Sequence, residues 1–95
     1  VASSNDRFDH DPQARLDYGW DWASWLGDGE TITAHTVTAS GAGGVVVESS
    51  AVIGGQVVAW ISGGVVARQS SVTVHIVTSE GRADDRTLRL DVKER

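Results

Sequence analysis

The sequence predicts an all-β domain, an antiparallel β-sandwich of six to seven short strands with an extended segment ahead of them. Three observations predict it. Apolar and polar residues alternate with period two in several segments, and no segment sustains a helical period. Glycine-rich clusters separate these segments at short intervals. The single proline, Pro12, lies ahead of all of them, where it interrupts no ladder.

Residues 1–15 are polar and aperiodic, and they read as an extended N-terminal arm with Phe8 as its one large anchor. Such an arm either stays in solvent or orders on a neighbouring subunit. The folded domain is expected over residues 16–95. It opens with Leu16, Tyr18, Trp20 and Trp22 at every second position, a strand signal. Trp25 and Leu26 break the alternation and suggest a short turn or a single helical turn capping one end of the core, before the turn Gly27-Asp28-Gly29.

Residues 31–39, rich in Thr and Val, predict the next strand. Ile32 and Val37 both suit a core but have opposite parity, which a bulge between them would reconcile. Beyond the flexible run 40–44, residues 45–47 and 49–53 read as two short strands, the second an edge closed by Gly54-Gly55. Residues 56–61 form a stronger strand with apolar residues on both faces, so one face is expected to be covered by a partner or a second layer. Ser62-Gly63-Gly64 suggests a tight reversal. Residues 69–78 and 86–92 close the domain, with Val72, Val74, Ile76 and then Leu88, Leu90, Val92 turned inward. Strand count and turn spacing point to immunoglobulin-like architecture, and the four tryptophans are expected to supply much of the core.

Composition excludes several function classes. There is no cysteine, hence no disulfide framework and no thiolate metal site. The net charge is −5, and five of the eight basic residues are interleaved with acids near the C-terminal end, which argues against a nucleic-acid groove. No run reaches the roughly 20 apolar residues of a membrane span. The opening residues lack the apolar run of a signal peptide.

No constellation for chemistry is evident. His10 sits between Asp9 and Asp11, a pattern better read as a solvated charge run than as a metal site, which needs more ligands on a rigid support. His35 and His75 alternate with small polar residues and read as surface or interface groups. Asp84 and Asp85 are adjacent on a strand and so point to opposite faces, a poor arrangement for an acid–base pair. The glycines at 41–44 lack the lysine and helix of a phosphate loop. The expectation is a non-enzyme without metal or cofactor.

Three groups of residues carry a resemblance. The first is Asp11-Pro12-Gln13-Ala14-Arg15-Leu16-Asp17-Tyr18, then Asp21-Trp22-Ala23-Ser24-Trp25-Leu26, then Gly29-Glu30-Thr31-Ile32-Thr33. The second is Trp60-Ile61-Ser62-Gly63-Gly64. The third is Thr78-Ser79-Glu80-Gly81-Arg82-Ala83-Asp84-Asp85-Arg86-Thr87-Leu88. Together they span residues 11–92, and the chain resembles the small phage proteins known as fibre–tail adaptors. Ala67 and Ser70 stand where such proteins usually carry a second glycine and a tyrosine.

The resemblance implies a virion structural protein that links tail, fibre, neck or major capsid proteins, with copies of itself in a symmetric assembly. The candidate partner-binding residues are Phe8, Asp9, His10, Asp11 and Pro12 of the arm, Trp60 on the doubly apolar strand, and Arg82, Asp84, Asp85 and Arg86 at the last turn. Two rival readings fit the same fold. One is a capsid decoration protein. The other is a carbohydrate-binding module that would present Trp20, Trp22 or Trp25 to sugar rings.

Overall fold

Seven strands make up the computed structural model, which describes residues 6–93. They are β1 (Asp6–His10), β2 (Arg15–Asp21), β3 (Ile32–Ser40), β4 (Val45–Ile53), β5 (Gln56–Gly63), β6 (Gln69–Thr78) and β7 (Ala83–Val92). They form a four-stranded sheet in the order β1-β7-β6-β3 and a three-stranded sheet in the order β2-β5-β4. Every pairing is antiparallel except β1 on β7, which is parallel. The orders β2-β5-β4 and β7-β6-β3 are those of the two immunoglobulin sheets, with the first strand beside the last rather than beside β2.

Period two builds the core. Val72, Val74 and Ile76 of β6 and Leu88, Leu90 and Val92 of β7 face Val57, Ala59 and Ile61 of β5, all of them buried. Trp20 and Trp22 are fully enclosed between the layers. Each indole removes roughly 200 Å² from water, an upper bound of about 5 kcal/mol of apolar burial per residue. Trp25 and Leu26 pack against one end of this core. Their amides both donate to the Trp22 carbonyl, at 2.8 and 3.0 Å, so the segment is a short hydrogen-bonded turn, one of the two forms the broken alternation allows.

The bulge in β3 falls where the parity conflict requires it. The register with β6 shifts between Ile32 and Ala34, so Thr33 is the additional residue and Ile32 and Val37 both turn inward.

Four expectations are corrected. The segment expected as an arm is, from Asp6, a strand of the chain's own sheet; residues 1–5 lie outside the described ones. Residues 45–53 form one strand, because a bulge between Val47 and Ser49 absorbs the irregularity that suggested two. The tight reversal is at Gly54-Gly55, where Ile53 pairs with Gln56 and only Gly54 has positive φ, the pattern of a type II′ turn. Ser62-Gly63-Gly64 instead carries the chain from one sheet to the other, through Val65 and Val66.

Last, Trp60 is not a core residue. It alternates with Ala59 and Ile61 and so stands on the outer face of β5, 36% exposed.

Candidate partner-binding surfaces

The last turn and the tryptophan loop meet at one end of the sandwich. Asp84 and Arg86 share the core-facing parity of β7, and the loop after β2 closes over them. The Trp22 indole N–H donates to Asp84 Oδ2 at 2.9 Å. The Arg86 guanidinium lies 4.7 Å over the same indole and donates to the Asp21 carbonyl at 2.6 Å. Arg86 and Asp84 also form an ion pair at 3.5 Å.

One turn further on, Arg82 stacks 4.0 Å over Trp25 and donates to its carbonyl at 2.9 Å. Its other donors reach Glu30 at 2.6 and 3.0 Å. Glu30 is buried, and it also accepts the Gly27 amide at 2.8 Å and the Thr78 hydroxyl at 2.5 Å. The Arg82 hydrogen bonds, then those from Gly27 and Thr78, hold the Glu30 carboxyl down at about 2, and Arg82 is in turn held above its ordinary value.

Arg82, Asp84 and Arg86 are thus engaged within the chain. They clasp the loop 22–30 to the β6–β7 turn. Asp85 points the opposite way and pairs with His75 on the outer face of the four-stranded sheet. Sequence reasoning passed over Glu30, the centre of the clasp; its signal was the spacing Gly27-x-x-Glu30 at a turn, a carboxylate placed to cap a backbone amide.

The N-terminal candidates separate in the same way. His10 is fully buried, bonded through Nδ1 to the Tyr18 hydroxyl at 2.9 Å, and presents no surface to a partner. It is not in a solvated charge run, because its parity on β1 turns it inward. Burial lowers its pKa against the opposing effects of Asp11 and the Gly63 backbone. Phe8 packs partly buried against Tyr18, with ring centroids 5.7 Å apart. Asp9 is exposed and pairs with Lys93 at 3.5 Å. Asp11 receives the Gln13 amide at 2.9 Å and, through its carbonyl, the Ala14 amide at 2.9 Å, so Asp11 and Pro12 form the turn into β2.

The two outer sheet faces differ sharply. The outer face of the four-stranded sheet carries Thr36, Thr38, Thr73, His75, Asp85 and Arg89, a polar surface. The outer face of β2-β5-β4 carries Val46, Ala51 and Ile53 beside Val58 and Trp60. Val46 is 54% exposed and Ile53 63%. Asp17 lies directly across from Trp60 on β2, and Asp21 across from Gln56. On the same strand Arg15 lies 4.4 Å over the Trp60 ring and pairs with Glu48 of β4. Of the candidates read from sequence, only Trp60 is in this face. Val58 shares the Trp60 face of the doubly apolar strand, whereas Val46 and Ile53 were missed because the bulge in β4 and the unknown pairing hid their parity.

No group of three or more metal-ligating side chains occurs among the described residues. A shallow depression of about 250 Å³ is lined by Ala67, Arg68, Gln69, Asp91, Val92 and Lys93, at the end of the sandwich opposite the clasp.

A family model matches residues 10–91 of the chain, and it is described as podophage GP4 fiber-tail adaptor protein gp77. No curated protein matches the chain.

Proposed function

The chain belongs to the podophage fiber-tail adaptor family gp77, and from that premise we propose that it joins virion proteins by seating the outer face of β2-β5-β4 against one of them. Membership makes it a phage structural protein whose work is contact with other virion components. The observation that carries the choice of surface is the apolar stripe of Val46, Val58, Trp60 and Ile53, exposed but for the Arg15 side chain laid over Trp60, on a sheet whose opposite face is the core. The last-turn residues, by contrast, are used to hold the chain together.

The stripe fits a virion protein with an apolar centre and cations placed to meet Asp17 and Asp21 on the β2 rim. Trp60 is the natural anchor, since an indole contributes large, rigid contact area. Nothing in this function requires catalysis. The carbohydrate reading loses most of its basis, because Trp20 and Trp22 are enclosed and Trp25 is stacked under Arg82.

The test is affinity for the tail and fibre proteins of the same particle. Trp60→Ser should weaken binding to one of them at least ~30-fold, the scale of an interface anchor worth ~2 kcal/mol. Thr87→Ser, on the polar face, should leave it unchanged. Undiminished affinity in the Trp60→Ser variant would rule this surface out.

A further inference from the structure

Sheet edges present unpaired backbone donors and acceptors, and proteins blunt them with charges, bulges or cover. The four edge strands here are β1, β3, β2 and β4. β1 carries Asp6, Arg7 and Asp9; β2 carries Arg15, Asp17 and Asp21. β4 carries Glu48 within its bulge. β3 is different. From Ile32 to Ser40 it contains no Asp, Glu, Lys, Arg or Pro, and beyond its bulge residues 34–40 run regularly.

We propose that this edge of β3 pairs with the same edge of a second copy, antiparallel, to join two four-stranded sheets into one. The regular stretch 34–40 is centred on Val37. Full overlap of two such stretches sets Val37 opposite Val37, Thr36 opposite Thr38, and Ala34 opposite Ser40. Threonine pairs facing each other across strands are favourable, and no charges meet. Ala34, Thr36, Thr38 and Ser40 are all exposed in the single chain. His35 does not obstruct the approach, because its Nε2 is bonded to Ser50 of β4 at 2.9 Å.

Each copy carries a net −5, and β3 is an edge along which two acidic copies meet with no acidic or basic side chain in the seam. A two-fold contact of this kind is closed, so an unblunted edge leads to a pair and not to a fibre. The pairing lies on the sheet opposite Trp60, leaving both Trp60 faces of the pair open; it does not rest on which protein covers them.

Sedimentation equilibrium of the purified chain tests it. The wild-type mass should rise with concentration from that of one chain toward that of two. Thr36→Lys with Thr38→Lys sets lysine against lysine and should weaken the pair at least tenfold. Thr36→Lys with Thr38→Glu sets lysine against glutamate at both positions and should restore association to within a few-fold of wild type. Circular dichroism of both variants should match wild type, since both side chains point to solvent. A wild-type chain that stays single at several hundred micromolar overturns the proposal. So does a pair indifferent to the double lysine change, or a Lys/Glu variant as weakened as the Lys/Lys one.

Discussion

Trp22→Phe is the perturbation that best separates a structural role for the last-turn residues from a contact role. Trp22 is fully buried and donates its indole N–H to Asp84 at 2.9 Å. Phenylalanine cannot donate, so Asp84 keeps the longer Arg86 pair at 3.5 Å but loses its shorter neutral donor. A hydrogen bond to a charged acceptor is worth ~1.5–3 kcal/mol. Contracting the buried ring system adds a cavity cost, a fraction of the ~3–5 kcal/mol of a full Trp→Ala truncation. Together these give ~3 kcal/mol. For a domain of this size that is a fall in Tm of roughly 10–20 °C, read by circular dichroism. Trp60→Ser, at a surface position, should move Tm by only a few degrees. If Trp22→Phe shifted Tm by less than about 3 °C, the clasp would not be holding this end of the fold, and the motif would need another explanation.

Three further outcomes follow from the same geometry. A Cβ on Gly43 would lie 2.6 Å from the Gln69 carbonyl carbon and 2.8 Å from the Ser70 nitrogen, both backbone atoms. Gly43→Ala should therefore cost ~3 kcal/mol or more and lower Tm by at least ~10 °C. Ala67 is held at φ +68° by its amide's bond to the Val92 carbonyl, where a Cβ is strained. Ala67→Gly should raise Tm by a few degrees, the relief of ~1–2 kcal/mol less the entropy that glycine gains in the unfolded chain. Glu30, at about 2 in the fold against 4.5 in the unfolded chain, stabilises fully above pH 4.5 and loses that contribution as pH falls through 2. A pH series of Tm should show this loss, and Glu30→Gln should flatten it between those limits.

The alternation of β2, β6 and β7 is legible because each has one buried and one wet face, so hydrophobic period alone sets parity. The β3 bulge is legible for the same reason: Ile32 and Val37 cannot both be inside without it. β4 is less legible because Val45-Val46-Val47 is apolar at every position and shows no face. β1 is misleading, since a strand with Asp6, Arg7 and Asp9 around one buried histidine has the composition of a tail. Only its pairing on β7 and the Tyr18 hydroxyl make His10 a core residue.

The proposed contact surface was half legible. Trp60 stands out on a doubly apolar strand, but its neighbours Val46 and Ile53 join it through the register of β4, which no local pattern reveals. The last turn misled in the other direction. Arg82, Asp84 and Arg86 look like free charges in sequence, because their partners Glu30, Trp25, Trp22 and Asp21 are 52 to 65 residues away. The 78–88 motif that carries the resemblance holds residues that fix the loop end, and the proposed contact surfaces are built from plain apolar and hydroxyl residues.

The most direct test of this account is a reconstruction of the intact particle that resolves the chain among its neighbours. The chain should lie at the junction of tail and fibre, with another protein packed over Trp60, Val58 and Ile53. A chain spread over the head lattice, or one whose Trp60 face is in open solvent while the Arg82 turn grips the partner, would contradict it.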